Sequence, residues 1–245
     1  MKKVKESGNK RRLIIRIILI ALIAAVLIIF VPVYAANRHY LSLEPVTNEQ
    51  LDALQLDGCR KLMIVAHPDD DYIWGGAHLF EGDYFVVVLT NARNECRRAE
   101  FETMLKNYGG KGLILGYPDK VGGRKSDWTF WEPSIKKDIQ TLINYKDWDL
   151  VVTHNEEGEY GHVHHKATHR LTVEAFRELG NPTELYFFGT YYRKVDLPED
   201  LPSIDEEAAA RKLQYTGVYE SQSHVIEMFY HMLTHENWQH YEIPD

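Results

Sequence analysis

The sequence predicts an α/β fold, a mostly parallel β-sheet with helices on both faces, preceded by an amino-terminal transmembrane helix. Short apolar runs of strand length alternate with helical patterns from about residue 60 onward. Two of these runs end in clusters of histidines and carboxylates, and a long apolar segment follows the basic start of the chain. Together these observations indicate one globular domain behind a membrane anchor.

The apolar segment Leu13–Val31 contains 19 residues, all apolar except Arg16. As a helix it would be about 28 Å long, close to the hydrocarbon thickness of a bilayer. Arg16 lies one turn inside the amino-terminal edge, from which its long side chain reaches the interface. The segment therefore predicts a single-pass anchor at residues 13–34 in the cell membrane.

The flanking charges predict the orientation of this anchor. Six Lys and Arg residues precede the apolar segment, whereas only Arg38 closely follows it. The positive-inside rule therefore makes residues 1–12 a cytoplasmic basic tail and places the remaining domain outside the cell. A cleavable signal peptide is the alternative, because Val33-Tyr34-Ala35 resembles a small-residue cleavage site. The apolar run is longer than an ordinary signal core, which favours a retained anchor.

The amino-acid composition indicates that the part of the chain after the anchor is an acidic globular domain. Of the 245 residues, 44% are hydrophobic and 12% aromatic, as in globular proteins. The formal net charge is -8, but residues 1–36 hold seven basic residues and one acidic residue, so the remainder holds 21 basic against 35 acidic residues. A domain this acidic is poorly suited to binding phosphate backbones, which argues against nucleic acid as a partner.

The chain has too few cysteines for its fold to be built on disulfides or on a thiolate metal site. Cys59 and Cys96 are the only cysteines, and neither belongs to a CxxC pair. This excludes a thiolate zinc knuckle and a disulfide-based scaffold. Whether the two form one disulfide stays open, because sequence separation does not give the distance between them.

The chain divides in sequence into a polar spacer at residues 35–58 and a domain at residues 59–245. In the spacer, Thr47 caps a short helix at Thr47–Leu54. Strands are predicted at Lys61–Ala66, Tyr84–Thr90, Gly112–Leu115, Asp149–Thr153 and Glu184–Phe188. Helices are predicted at Tyr72–Phe80 with an interruption at Gly75-Gly76, and at Asn94–Tyr108, Glu132–Tyr145, His162–Leu179, Asp205–Tyr215 and Val225–Thr234.

The first predicted strand leads directly into His67, Pro68 and three consecutive aspartates, Asp69 to Asp71. In open α/β sheets, the carboxyl ends of the strands are where ligands bind. Adjacent carboxylates repel one another, and burial adds to the cost of keeping them charged. A divalent metal ion is the simplest source of compensating charge. The alternative is an ordinary polar turn, which Pro and Asp also favour.

The fourth predicted strand leads into a second cluster. His162 and His165 lie three residues apart at the start of a helix, so both side chains can face the same cleft. With His67 and Asp70, His165 would form an N,N,O ligand set with an open position for water, as in catalytic zinc sites. Lys166 occupies the position of the glutamate that a zincin-type pair of His165 and His169 would require, which argues against such a pair.

Two motifs carry a resemblance to a known family. Ala66-His67-Pro68-Asp69-Asp70 and Tyr160-Gly161-His162-Val163-His164-His165 resemble the two signature motifs of the PIG-L/LmbE family of zinc-dependent de-N-acetylases. Leu115-Gly116-Tyr117-Pro118-Asp119 also resembles a loop of that family. The resemblance implies a Rossmann-like fold over residues 59–245 and hydrolysis of the acetamide of an N-acetylglucosamine-type sugar.

The resemblance also implies roles for individual residues. His67, Asp70 and His165 are expected to bind Zn²⁺, or another divalent transition metal. Asp69 is expected to be the general base, and His162 the second catalytic group.

These roles agree with the chemistry of amide hydrolysis. The reaction needs an activated water, a polarised carbonyl and a proton for the departing amine. A protonated His162 would stabilise the tetrahedral intermediate or protonate the nitrogen. Tyr160, in the glycine-containing loop before it, is a further candidate hydrogen-bond donor.

The chain departs from the family pattern at two positions. Asp71 stands where the family commonly has Glu, and His164 stands where it often has an Asp that would orient His162. Their contacts therefore cannot be transferred from the family. Three arginines, Arg93, Arg97 and Arg98, open the helix after the second strand, and a solvated helix start is the expected account of them.

The sequence thus predicts a membrane-anchored, metal-dependent hydrolase that deacetylates an N-acetylated sugar or cell-surface glycan. Trp74, Trp128 and Trp131 are candidate stacking platforms for sugar rings. One alternative is a metal-dependent phosphatase with strand-end aspartates, although such an enzyme has no use for the imidazoles. The other is a non-catalytic anchored sugar-binding module, against which the presence of the Asp69 base argues.

Overall fold

The computed structural model describes residues 2–242, with side chains from residue 12 onward except at residues 33 and 36. The chain forms two compact units. The first comprises Met1–Leu43 and Lys120–Lys125, and the second comprises Glu44–Asp119 and Ser126–Asp245.

The first unit consists of a long helix and a small hairpin. Helix α1 spans Lys2–Asn37, and its stretch Arg12–Pro32 has 21 residues with a mean hydropathy of 3.3, none of them buried within the chain. This stretch is long and apolar enough to cross a membrane, a test that amino-terminal signal sequences also meet.

The second unit alternates strands with helices. With the hairpin strands β4 and β5 of the first unit included, the strands in chain order are β1 (Lys61–Val65), β2 (Tyr84–Thr90), β3 (Lys111–Tyr117), β4 (Lys120–Val121), β5 (Arg124–Lys125), β6 (Leu150–Thr153), β7 (Glu184–Phe187) and β8 (Gln239–His240). The helices after α1 are α2 (Asn48–Ala53), α3 (Asp70–Leu79), α4 (Glu95–Tyr108), α5 (Glu132–Asn144), α6 (Gly158–Gly161), α7 (Val163–Glu178), α8 (Glu206–Leu213) and α9 (Ser223–Phe229).

The central sheet has six strands in the order β3-β2-β1-β6-β7-β8. Strands β3, β2, β1, β6 and β7 are parallel, and β8 pairs antiparallel with β7. The chain runs outward from β1 to β3 and then returns to the other side of β1 at β6. The strand order therefore reverses between β1 and β6, which opens a crevice beyond their carboxyl ends.

The fold confirms the predicted parallel α/β architecture. Strands β1 and β2 are almost completely buried, because helices cover the sheet: α5 packs on α7, and α3 packs on α8. The Thr47 cap on α2 is also present, since its side chain accepts from the N–H of Gln50 at 3.3 Å. The edge strand β8 and the hairpin were not predicted, since segments of two residues carry no periodicity. Cys59 and Cys96 are free thiols.

One predicted feature is wrong: helix α3 is continuous through Gly75 and Gly76. Both positions require glycine because a larger side chain would clash with neighbouring side chains. A Cβ on Gly75 would lie 2.5 Å from Met63 Cε, and one on Gly76 would lie 3.0 Å from Lys212 Cε. The glycines therefore let α3 approach both the sheet and the Lys212 side chain closely.

A buried ion pair attaches the carboxyl-terminal part of the chain to α3. Lys212 Nζ donates to Glu236 Oε1 at 2.6 Å and to the carbonyl of Ile73 at 2.9 Å. Glu236 in turn accepts from the main-chain N–H groups of Ala77 at 2.8 Å and His78 at 3.2 Å. Burial alone would raise the pKa of Glu236, but Lys212 and His78 lower it to about 2. The pair therefore stays ionised and fully bonded inside the core.

We expect Lys212→Met to destabilise the protein by about 3–5 kcal/mol, because the carboxylate of Glu236 would be left buried without its cation. Lys136→Met is the matched control, since Lys136 pairs with Glu178 at 2.8 Å on the surface, where water screens the pair, and it should destabilise the protein far less. Urea unfolding of the full-length chain measures both values. Equal losses in the two variants would contradict a supporting role for the buried pair.

Candidate metal and active site

The end of β1 delivers the first cluster to the crevice between β1 and β6. His67 to Asp69 form the turn between β1 and α3, and Asp70 begins α3. The N–H of His67 donates to Asp70 Oδ2 at 2.8 Å, which closes this turn. Asp69 has φ = 142°, a conformation that residues other than glycine rarely adopt. Such strain persists only where the surrounding structure holds the residue in place.

The segment after β6 delivers the second cluster to the same crevice. Glu159 has φ = 54° and ψ = -74°, and this non-helical conformation bends the chain within α6. His162 then caps α7, with its Nδ1 accepting the N–H of His164 at 3.3 Å. The side of α7 that carries His165 therefore faces the crevice, as predicted, and His165 is completely buried there.

The three predicted metal ligands come together in this crevice. His67 Nδ1 lies 3.1 Å from Asp70 Oδ2, His165 Nε2 lies 3.2 Å from Asp70 Oδ1, and the two nitrogens are 3.3 Å apart. Zinc–ligand bonds of 2.0–2.1 Å in a tetrahedral site place the ligand atoms about 3.3 Å from each other. The donor types and their spacing therefore fit one zinc ion.

Neighbouring side chains enlarge this donor cluster. Among the described residues, ligand atoms of three further triads also lie within 4.8 Å of one another: His67, His162 and His165; Asp70, His154 and His165; and His67, Asp119 and His164. Each of the first two shares His165 and one further ligand, His67 or Asp70, with the predicted set. The third uses the opposite edge of the His67 ring.

Glu159 supports His165 from behind. Its Oε2 lies 2.5 Å from His165 Nδ1 and 2.9 Å from His154 Nδ1. The other nitrogen of His154, Nε2, accepts from the N–H of Ala66 at 3.0 Å, so the proton of His154 is on Nδ1. A carboxylate behind a ligating histidine orients the ring and raises its basicity.

Neither of these supporting residues, His154 and Glu159, was predicted from the sequence. The position of His154 directly after β6, equivalent to that of His67 soon after β1, was the available signal. Glu156, Glu157 and Glu159 lie close together in the sequence, and no pattern distinguished Glu159 from the other two.

A second hydrogen-bond chain sets the tautomer of His67. His164 Nε2 donates to the carbonyl of Ser126 at 2.6 Å, so its Nδ1 accepts from His67 Nε2 at 2.9 Å. Burial lowers the pKa of His164 to about 4, which keeps it neutral in this role. His67 consequently presents the lone pair of Nδ1 to Asp70 and His165. His164 thus bonds His67 through its ring, and reaches His162 through its main-chain N–H.

The charges of the cluster are balanced within the protein. Burial alone would lower the pKa of His165, but Asp70 and Glu159 raise it to about 10. Burial alone would raise the pKa of Asp70, but His165 and His67 hold it well below its usual range. The proton of His165 therefore supplies the positive charge that these carboxylates require. A metal ion binding here would replace that proton.

Asp69 directly precedes Asp70 in the chain, and its carboxylate is hydrogen-bonded to an arginine. Arg97 Nη2 donates to Asp69 Oδ1 at 2.9 Å and also bonds the carbonyl of Pro68. Burial raises the pKa of Asp69 well above its usual value, although Arg97 opposes this. The expectation of a solvated Arg97 is wrong, since it is only 8% exposed. Its contact depends on how α4 packs beside the crevice, which the sequence does not show.

His162 and Tyr160 border the donor cluster. The ring centroid of His162 lies 4.7 Å from those of His67 and His165. The Tyr160 ring lies 5.4 Å from that of His165 and is 39% exposed, so it lines the mouth of the site.

Of the predicted aromatic platforms, two are not accessible. Trp74 is 4% exposed and Trp128 is completely buried, where it stacks on the His164 ring at 4.3 Å. Both tryptophans therefore pack the site rather than face a ligand. Tyr160 is the exposed ring nearest to His165 in the described cluster, and it packs against Phe229 at 4.7 Å.

Comparisons with known proteins identify the family of the chain. Residues 62–176 match the PIG-L family model, described as GlcNAc-PI de-N-acetylase. The uncharacterized protein L374 of Acanthamoeba polyphaga mimivirus is 31% identical over 194 residues, which is 72% of this chain and 78% of that protein.

The fold also matches a solved structure. An N,N'-diacetylchitobiose deacetylase from Pyrococcus horikoshii, solved with an inhibitor, has a TM-score of 0.56 and 17% sequence identity over 81% of this chain and 94% of its own. At this identity the match shows a shared fold. The family match, the viral relative and the fold lead to one conclusion: the chain belongs to the PIG-L family of de-N-acetylases.

Proposed function

We propose that this protein is a zinc-dependent hydrolase that removes the acetyl group from an N-acetylglucosamine-type sugar or glycan. One observation carries the proposal: three buried donor atoms lie 3.1–3.3 Å apart at the sheet crevice. Asp69, in the same turn between β1 and α3, is the candidate general base. Membership of a de-N-acetylase family supplies the reaction class.

His67 Nδ1, a carboxylate oxygen of Asp70 and His165 Nε2 would hold the metal ion. When bound, a zinc ion supplies a water of near-neutral pKa and a Lewis acid for the acetamide carbonyl. Glu159 and His164 keep the two imidazoles in the tautomers and orientations that this ligand set requires. Imidazole nitrogens favour zinc or another transition metal over magnesium.

Asp69 would accept the proton of the attacking water. Arg97 bonds Oδ1 and fixes the carboxylate, so that Oδ2 is the oxygen assigned to proton transfer. The raised pKa of Asp69 brings a carboxylate closer to the near-neutral range in which general bases work best. The base is therefore both oriented and tuned by its surroundings.

His162 would act on the other side of the acetamide. Its ring borders those of His67 and His165, so a protonated His162 would stabilise the tetrahedral oxyanion and then protonate the departing amine. Tyr160 at the mouth would donate a further hydrogen bond to the substrate or the oxyanion. Burial raises the pKa of Tyr160, so its hydroxyl stays protonated and able to donate.

We assign the substrate to N-acetylated glycans outside the cell. The similar fold of a diacetylchitobiose deacetylase supports an acetylated sugar, and N,N'-diacetylchitobiose is the first compound to test. The basic tail and the apolar stretch of α1 support a single-pass anchor with a cytoplasmic amino terminus. Within this assignment residues 59–245 are the deacetylase domain, and the compact unit around it begins at Glu44.

The two alternative functions have less support. A phosphatase that depends on aspartate and magnesium would not need His67 and His165 as inner donors. A sugar-binding module would not need Asp69 held by Arg97 beside the donor cluster.

The full-length protein should release acetate from N,N'-diacetylchitobiose or another N-acetylated glycan of a test panel. Removing the metal with a chelator should abolish release, and adding zinc should restore it, because the proposed water activation depends on the ion. Acetate quantification measures this. Hydrolysis of a phosphomonoester in place of any acetylated sugar would contradict the assignment.

Asp69→Asn should keep zinc but lower turnover by about 10²–10⁴-fold, since the amide cannot accept the proton. His165→Ala should lose both zinc and turnover. Metal content by mass spectrometry, measured together with turnover, separates the two roles. Equal loss of metal in both variants would show that Asp69 is a ligand rather than the base.

Glu159→Gln should weaken zinc binding by about 10–100-fold, because the charge behind His165 is removed while the side-chain shape is kept. Glu157→Gln is the matched control, since Glu157 lies 3.6 Å from Lys166 on the surface. Competition with a chelator of known affinity gives both constants. Unchanged affinity in Glu159→Gln would refute the supporting role.

A further inference from the structure

Hydrogen bonds connect the carboxyl-terminal segment 219–221 to Asp69, the candidate base. The first connection runs through Tyr219 and Asp71. The hydroxyl of Tyr219 donates to both carboxylate oxygens of Asp71, at 2.8 and 3.0 Å. Asp71 Oδ1 also accepts from the main-chain N–H of Asp69, at 3.2 Å. Tyr219 and Asp71 are completely buried, so water does not compete for these bonds.

A second chain leads from the same segment to the Asp69 side chain. Ser221 donates its N–H to Glu100 Oε1 and its hydroxyl to Glu100 Oε2, each at 2.7 Å. Glu100 Oε2 lies 4.0 Å from Arg97 Nε, so this link is an electrostatic contact and not a hydrogen bond. Arg97 Nη2 donates to Asp69 Oδ1 at 2.9 Å. The two chains therefore end on different parts of one residue, its main chain and its carboxylate.

Asp69, the residue at which both sets of contacts end, has a strained backbone conformation. With φ = 142°, Asp69 would relax unless neighbouring contacts held it. Asp71 stands where the family commonly has the longer Glu, and its shorter carboxylate meets the hydroxyl of Tyr219. The segment that provides this hydroxyl lies outside residues 62–176, which the family model matches.

From these contacts we infer that Tyr219 and Ser221 are positioning residues that hold Asp69 in its reactive geometry. The inference rests on the proposed function, because it takes Asp69 as the base. Segment 219–221, which follows the residues that the family model matches, would then complete the active site. Within the part of the chain that the structure describes, neither Tyr219 nor Ser221 is hydrogen-bonded to the donor atoms of His67 or His165, so metal binding should not depend on them.

Tyr219→Phe tests this in the full-length, zinc-loaded protein, with N,N'-diacetylchitobiose or the acetylated sugar on which the wild type is active. We expect kcat to fall by about 10–100-fold while KM and zinc content stay unchanged, because the base is misplaced and the ring packing is kept. Ser221→Ala should lower kcat less, since the main-chain bond to Glu100 remains, and Ser221→Thr should restore it.

Tyr72→Phe is the matched control for the loss of a buried hydroxyl. Tyr72 is also completely buried, and its hydroxyl donates to the carbonyl of Lys212 at 3.0 Å, away from Asp69. It should lose a similar amount of stability with little change in kcat. Equal kcat losses in Tyr72→Phe and Tyr219→Phe, or none in either, would overturn the positioning role.

A second readout separates this inference from the proposed function. The amide of Asp69 should exchange its hydrogen faster in Tyr219→Phe than in the wild type or Tyr72→Phe, as followed by NMR. If the wild type releases no acetate from any sugar, the proposed function fails, and the exchange rate alone decides the positioning of Asp69. An unchanged exchange rate in Tyr219→Phe would then refute it.

Discussion

The structure depends on balancing charge at the buried end of β1. Asp70 and Glu159 are anionic and lie inside the protein, where an uncompensated carboxylate would be strongly unfavourable. His165 lies between them, with Nε2 at 3.2 Å from Asp70 and Nδ1 at 2.5 Å from Glu159. The turn at α6, the cap of α7 and the register of β1 with β6 all serve to bring these three groups together. A metal ion that replaces one proton satisfies the same electrostatic requirement.

Much of this arrangement follows from the sequence. Buried parallel strands are nearly continuous apolar runs, so β1, β2 and β6 were predictable, and parallel strands end at one edge of a sheet. That is why His67, Asp70 and His165 were expected to converge. The contacts of Glu159 and Arg97 were not predictable. Glu159 reaches His165 through an irregular backbone turn, and Arg97 reaches Asp69 through the packing of α4.

The carboxyl-terminal part of the chain is the least evident from local sequence, yet it is bonded closely to α3. Lys212 and Glu236 bond main-chain groups in the middle of that helix, and Tyr219 bonds Asp71 at its start. Helix α3 carries Asp70, so the same contacts that stabilise the core also fix a candidate ligand. Stability and the geometry of the site are thus coupled, as expected where a strained residue is held by its surroundings.

The most direct measurement is X-ray diffraction from zinc-loaded crystals at energies on both sides of the zinc absorption edge. We predict one anomalous peak, enclosed by His67 Nδ1, the Asp70 carboxylate and His165 Nε2. A peak held instead by His67, Asp119 and His164, or no peak at either triad in protein that contains stoichiometric zinc, would contradict this prediction.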